Sequence, residues 1–219
     1  MSAPQLGKVF PNFEAESTVG KIDFHKYIEG SWAILFSHPA DYTPVCTTEL
    51  GTAAKLEPEF KKRGVKMIGL SIDSVEDHKG WIKDIQDYNS VSCFPYPLIA
   101  ADRPLVSKLG MLDPDEIGKD GLALTARCVF IVGPDQKLKL SLLYPATTGR
   151  NFDEILRVID SLQLTANKKV ATPANWQSGG DCMIIPSVSN DEAAQKFPGF
   201  KTAKVPSGKA YIRTTPHPK

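Results

Sequence analysis

Two continuous apolar runs constrain this chain more than any other feature. Trp32-Ala33-Ile34-Leu35-Phe36 and Val65-Lys66-Met67-Ile68-Gly69-Leu70-Ser71-Ile72 have the length of strands and almost no polar alternation, the pattern of strands buried on both faces of a sheet. Each is followed by a helix start. Thr43 precedes Pro44, an N-cap residue ahead of the one helical position where proline costs nothing. Ser74 precedes Glu76 and Asp77, acidic residues suited to a first turn. Strand, helix, strand, helix implies a parallel pair joined by a right-handed crossover. Downstream, Leu98-Ile99-Ala100 is a short strand and Pro104 opens a short helix reaching Leu109. Ala126 to Val132 and Leu138 to Tyr144 are two strands joined by the hairpin connection Gly133-Pro134-Asp135-Gln136-Lys137. Asn151 caps a helix with Ile155, Leu156, Ile159 and Leu162 inward. Before the first run, Met1 to Pro11 reads as an irregular lead-in. Phe13 to Thr18 reads as an edge strand with Lys21 to Asp23 pairing back, and Phe24 to Ile28 as one helical turn. Asp113 to Leu122 reads as exposed turns. The sum is an α/β fold with a central mixed sheet flanked by helices.

Between the first strand and its helix the sequence runs Ser37-His38-Pro39-Ala40-Asp41-Tyr42-Thr43-Pro44-Val45-Cys46. Cys46 therefore falls in the first helical turn. The free N–H groups and the macrodipole there favour an anion, so the thiolate gains over the thiol. The dipole contributes about 0.3–1 kcal/mol. An arginine about 4 Å away, at an effective dielectric of about 20, contributes roughly 4 kcal/mol before desolvation opposes it. An arginine partner would dominate. Arg127, set inside an apolar strand, is costly there unless it is paired or faces a site, and taken by itself it reads as a surface or ion-paired arginine. The helix from Thr43 presents Cys46, Leu50, Ala53, Ala54, Leu56 and Phe60 as an inward stripe, which Pro58 kinks or ends.

The loop SHPADYTPVCTTELG resembles the active-site loop of the peroxiredoxins, with P-x-x-x-T-x-x-C at Pro39, Thr43 and Cys46. The stretch from Thr125 to Thr165 is similar to the distal half of that fold and supplies Arg127, where the family keeps its active-site arginine. The tail, with VATPANWQSGG and PSGKAYIRTTP, resembles the one-cysteine, peroxiredoxin-6-like branch. The resemblance implies a thioredoxin-like fold and a thiol peroxidase acting on hydrogen peroxide and on organic or phospholipid hydroperoxides through a cysteine sulfenic acid. It implies Cys46 as nucleophile, Arg127 holding its thiolate, Thr43 orienting the peroxide and Pro39 shielding the sulfur. Arg150 matches a second family arginine in a supporting role. No prosthetic group is implied; an external thiol, glutathione, is the expected reductant, with a glutathione transferase as a candidate partner.

Other residues carry weaker readings. His38 lies eight residues before Cys46 and is read as structural or site-lining, with no oriented partner visible. The four histidines and four cysteines have no ligand-like spacing, so no metal is expected. The peroxiredoxin-6 branch is also linked to a phospholipase A2 activity, and the matching positions are Ser31, His25 and Asp135. Here Glu29 and Ala33 stand where the glycines of G-x-S-x-G would be, and Ser31 precedes a strand instead of following one. The alternatives to a peroxidase are that added lipase activity, a chaperone-like oligomer, and a thiol–disulfide exchanger, the last disfavoured by the lack of C-x-x-C.

Composition settles only broad matters. A net charge of +1 gives no electrostatic case for nucleic acid or an anionic membrane. No apolar run approaches the roughly 20 residues of a membrane span. MSAPQLGKVFPNFEAE has no apolar core of a secretory signal, and the four cysteines are widely spaced, so a reduced, cytoplasmic setting is expected. After Lys168-Lys169 the chain turns rich in Pro, Gly, Ser and Thr. Residues 1–168 are read as the main domain. Residues 169–219, too small for a large core of their own, are read as a C-terminal domain that serves a homodimer, as the resemblance implies.

Overall fold

The computed structural model describes residues 3–218, so Met1 and Ser2 of the expected lead-in and the terminal Lys219 lie outside it. The chain forms two compact units, Met1–Phe152 and Asp153–Lys219. The elements of the first, in order, are β1 (Glu14–Ser17), β2 (Ile22–Asp23), α1 (Phe24–Ile28), β3 (Trp32–Ser37), α2 (Pro44–Lys55), α3 (Glu57–Lys62), β4 (Val65–Ser71), α4 (Val75–Asn89), β5 (Leu98–Ala100), α5 (Arg103–Lys108), β6 (Leu112–Ile117), β7 (Ala123–Thr125), β8 (Arg127–Val132) and β9 (Leu138–Tyr144). The remainder is α6 (Phe152–Asn167), β10 (Val170–Ala171), β11 (Cys182–Ile184), α7 (Asn190–Lys196), β12 (Lys201–Thr202) and β13 (Arg213–Thr215).

Seven strands make the main sheet, in the order β2-β1-β5-β4-β3-β8-β9. The apolar runs that open the analysis above are its central parallel pair, with Trp32 opposite Val65 and Phe36 opposite Gly69. β8 lies antiparallel on the other side of β3, and β9 closes the sheet as the expected hairpin. All six residues of β8 are buried, whereas β9 alternates, because an outermost strand keeps one face wet. Two expectations fail. The strand near Phe13 is not an edge: β1 sits between β2 and β5. The stretch read as exposed turns instead pairs β6 with β7 in a separate two-stranded sheet with a bulge. Its Pro, Gly and Asp content hid a hairpin whose register is irregular.

Phe10, in the lead-in, is fully buried, with its ring 5.3 Å from both Phe24 and Phe130. A single aromatic without periodicity gives no local signal, so only the tertiary packing identifies it as core. In the second unit a four-stranded sheet, β10-β11-β13-β12, carries a small core of Val170, Trp176, Cys182, Ile184, Val188, Ala193 and Phe197.

Helices α2 and α4 meet at Gly51. A Cβ added there would lie 2.0 Å from the Cγ of Asn89, whose amide donates to the carbonyls of Thr47 at 3.0 Å and Ile85 at 2.9 Å. Alanine at position 51 would gain up to about 1 kcal/mol in helix propensity. Overpacking costs typically about 1–3 kcal/mol, and a displaced amide hydrogen bond about 1 kcal/mol more. Gly51→Ala is therefore expected to lower stability by about 1–3 kcal/mol in urea unfolding, and a raised midpoint would contradict the packing argument.

Candidate active site

Thr43 caps α2 with extended backbone, Pro44 follows at the helix start, and Cys46 lies fully buried in the first turn. The cap differs from expectation in one respect. The Thr43 hydroxyl makes no bond to the first-turn N–H groups; it donates back to the Ala40 carbonyl at 2.8 Å. The helix start is tightened instead by Thr47, whose N–H and hydroxyl both donate to the Thr43 carbonyl, at 3.0 and 2.8 Å. Pro39 is buried at the end of β3 and Thr43 is half-buried. Pro58 falls in the first turn of α3, so α2 and α3 are two segments, as the proline required.

Arg127, the first residue of β8, is 3 % exposed and turns toward α2. Its Nη1 donates to Cys46 Sγ at 3.3 Å and to Glu49 Oε2 at 2.5 Å. Its Nε and Nη2 both donate to the Ala146 carbonyl, at 3.0 and 2.6 Å, which fixes the guanidinium plane. Arg150 grips the same carboxylate from the other side: its backbone N–H and Nε donate to Glu49 Oε1 at 2.6 and 3.0 Å, and its Nη2 to Oε2 at 2.9 Å. The remaining Nη1 of Arg150 donates to the carbonyls of Ser37 and Cys128, and its guanidinium lies over the rings of Phe36 and Phe152. Burial works against the Glu49 carboxylate, but the charge and hydrogen bonds of Arg150, and then the charge of Arg127, hold its carboxyl below the usual range. Two guanidinium groups thus share one carboxylate. The cluster carries one positive charge more than negative, and that surplus lies against the Cys46 sulfur.

Glu49 is the site residue that sequence reasoning missed. The signal was present: it stands three residues after Cys46 on the same helix, inside an otherwise apolar inward stripe, where a carboxylate must be paired. A second omission concerns His38. It does have oriented partners. His38 Nε2 lies 2.6 Å from Asp41 Oδ1, and His78 Nδ1 lies 2.6 Å from Asp41 Oδ2, all three residues being buried. Their donor atoms gather within 4.8 Å of one another, as metal ligands would. Those atoms are instead spent on one another as two short hydrogen bonds, which a metal ion would have to break.

The three positions matched to a lipase are not assembled. His25 Nε2 is 2.7 Å from the Phe10 carbonyl, exposed Asp135 is paired with Lys139 at 2.6 Å, and Ser31 closes the turn after α1 through its backbone N–H. No hydrogen bond joins the three among the described residues. The other cysteines are all free. Cys128 is packed in the main core and its thiol is pushed up to about 11 by burial. Cys182 is packed in the second unit's core and its thiol is raised, again by burial. Cys93 is exposed.

Comparison with known proteins agrees with this geometry. Residues 6–141 match the AhpC/TSA family, and residues 161–199 match the C-terminal domain of 1-Cys peroxiredoxin. Peroxiredoxin-6 of Gallus gallus is 64% identical over 218 residues, covering 97% of both chains. A cysteine-to-serine mutant of the peroxiredoxin 6 of Arenicola marina superposes with a TM-score of 0.96 at 61% identity, over 98% of this chain and 99% of that one. A yeast mitochondrial 1-Cys peroxiredoxin, solved for its thiol resolving mechanism via glutathione/thioredoxin systems, gives 0.87 at 47% identity over 97% and 99%. The central mixed sheet flanked by helices is the thioredoxin-like arrangement of these structures. No helix among the described residues is long and apolar enough to cross a membrane. The chain belongs to the 1-Cys peroxiredoxins and is a thiol-dependent peroxidase.

Proposed function

We propose that Cys46 is the peroxidatic nucleophile of a one-cysteine cycle. The observation that supports this most is the 3.3 Å contact between Arg127 Nη1 and Cys46 Sγ, buried at the first turn of α2. The sulfur, as thiolate, attacks one peroxide oxygen. The O–O bond breaks, the second oxygen takes a proton and leaves as water or an alcohol, and the sulfur becomes a sulfenic acid. Arg127 stabilises the negative charge as it passes from sulfur to the leaving oxygen. The Thr43 hydroxyl, donating its hydrogen bond to the Ala40 carbonyl, keeps its lone pairs to accept a hydrogen bond from the peroxide O–H. Pro39 excludes water, Arg150 and Glu49 hold Arg127 in place, and His38 lines the loop. Hydrogen peroxide and organic or phospholipid hydroperoxides are the substrates in this reading.

Two of the other three cysteines favour a cycle without an internal resolving thiol, and the one-cysteine resemblance sets aside the third, exposed Cys93. Cys128 and Cys182 are core residues whose thiols are disfavoured as thiolates by burial. An external thiol must then reduce the sulfenic acid. Glutathione is our choice, by analogy with the yeast relative's glutathione/thioredoxin systems; a glutathione transferase as the delivering partner follows only from the family resemblance. We assign residues 169–219 to a homodimer interface, residues 1–168 to the peroxidase domain, and the protein to the cytoplasm. One equivalent of hydrogen peroxide is expected to give a dimedone-trapped sulfenic acid at Cys46, and an excess to give sulfinic acid. A stoichiometric disulfide from Cys46 to Cys93, Cys128 or Cys182 on non-reducing mass spectrometry would overturn the one-cysteine cycle.

A further inference from the structure

The loop that delivers Thr43 and Cys46 is held by a set of groups that the peroxidase chemistry above does not use. Tyr42 sits in the left-handed backbone region, with φ 54°. For a bulky residue this conformation is unfavourable and persists only where its neighbours fix it. The residue before it is the fixed one. Both carboxylate oxygens of Asp41 are taken at 2.6 Å, by His38 and by His78. Its backbone N–H donates to Asp73 Oδ2 at 3.0 Å, and that oxygen also accepts from the Ser71 hydroxyl at 2.6 Å. The loop is thereby tied to α4 through His78 and to the end of β4 through Asp73. Across the strained residue, Thr43 is tied back to Ala40.

The hydrogen-bond partners fix the protonation of the set. His78 has an acceptor at each ring nitrogen, the Asp41 carboxylate at Nδ1 and the Ile99 carbonyl at 3.2 Å from Nε2. Only the imidazolium donates from both. His38 has the carboxylate at Nε2 and, among the described residues, no partner at its buried Nδ1, so it is the neutral tautomer with its proton on Nε2. The groups facing His78 are Asp41, His38 and Asp73, together with the Ile99 carbonyl. Burial opposes the His78 charge, but the hydrogen bond and charge of Asp41 outweigh it and raise the imidazole above its ordinary value. Burial depresses His38. Asp41 is thus one end of a buried ion pair whose other end is on α4.

We propose that Asp41 and His78 are positioning residues for peroxide reduction. As a carboxylate–imidazolium pair they pin the Ala40–Thr43 loop, hold Tyr42 in its left-handed conformation, and so set where the Thr43 hydroxyl and the start of the Cys46 helix stand. The inference rests on the assignment of Cys46 and Thr43 made above. His78 holds its proton below its raised titration point and loses it as pH rises through that point. The clamp is complete below that point for as long as Asp41 stays ionised, and it weakens as pH rises through it.

Two measurements on the full-length protein test this. Imidazole ¹⁵N NMR of the wild type is expected to show His78 protonated on both nitrogens at pH 7 and His38 protonated on Nε2 alone. Cys46→Ser is expected to show the same states. Stopped-flow oxidation by hydrogen peroxide is expected to slow about tenfold or more in Asp41→Asn and in His78→Gln, since small displacements of reacting groups cost rate steeply. The double variant is expected to be no slower than the slower single, because the two act as one unit. The wild-type rate should fall at the pH where the His78 resonances titrate, and His78→Gln should lack that limb. A neutral His78 at pH 7, full-rate single variants, or an alkaline limb unchanged in His78→Gln would each overturn the proposal. Peroxidase activity surviving in Cys46→Ser would sink the nucleophile assignment while leaving the NMR result intact, so the two failures are distinguishable.

Discussion

Cys46→Ser is expected to leave a folded protein that no longer reduces peroxide. The side chain is fully buried in the first turn of α2, and serine differs from it by one slightly smaller atom, so the packing cost is small. The chemical loss is complete. An alcohol is unionised near neutral pH and needs a general base to become a nucleophile. The cationic group against this position, Arg127, has no acceptor to offer. Oxygen also has no counterpart to the sulfenic acid that stores the transferred oxygen. Peroxide consumption should fall to the buffer background, with the thermal midpoint near that of the wild type. Turnover within a few fold of wild type in a pure serine variant would refute the assignment.

Arg127→Gln should have the next largest effect, and it should appear in two separable measurements. At 3.3 Å and an effective dielectric of about 20, a guanidinium and a sulfur anion attract by roughly 5 kcal/mol before desolvation is subtracted. About 1.4 kcal/mol of that, expressed in the transition state, is already tenfold in rate. The second-order rate constant for oxidation by hydrogen peroxide is therefore expected to drop tenfold or more. Glutamine can still donate one hydrogen bond, but it removes the surplus positive charge of the Arg127–Glu49–Arg150 cluster. Stability should fall as well. Breaking a buried pair costs about 3–5 kcal/mol when it strands a charge. Here Arg150 still holds Glu49 by three bonds, so the loss should lie below that range. Urea unfolding reports the stability loss and stopped-flow the chemistry. A variant destabilised yet oxidised at the wild-type rate would reduce Arg127 to a structural role.

Much of this architecture is local information. The parallel pair β3 and β4 follows from two apolar runs, and α2 from Thr43 and Pro44 at its start and Pro58 beyond its end. The β8–β9 hairpin follows from Gly133-Pro134-Asp135 between two apolar segments. Those features depend on propensity and periodicity, which act over neighbouring residues. The position of Cys46 in a first turn was legible for the same reason. That Arg127 belonged beside it came from family resemblance, not from spacing: 81 residues separate the two along the chain.

What tertiary structure alone decided is which distant polar groups meet. Glu49 becomes the shared counter-ion of Arg127 and Arg150 because the β3–β8 register brings the start of β8 against the first turns of α2. Asp41 finds His78 across 37 positions because α4 packs against the loop before α2. The hairpin of β6 and β7 and the burial of Phe10 belong to the same class. In each case the energy comes from a partner far away in sequence, through desolvation that makes pairing obligatory for a buried charge and packing that makes burial favourable for a ring. Sequence alone placed the sulfur at the head of its helix; only folding supplied the charges and the clamp that surround it.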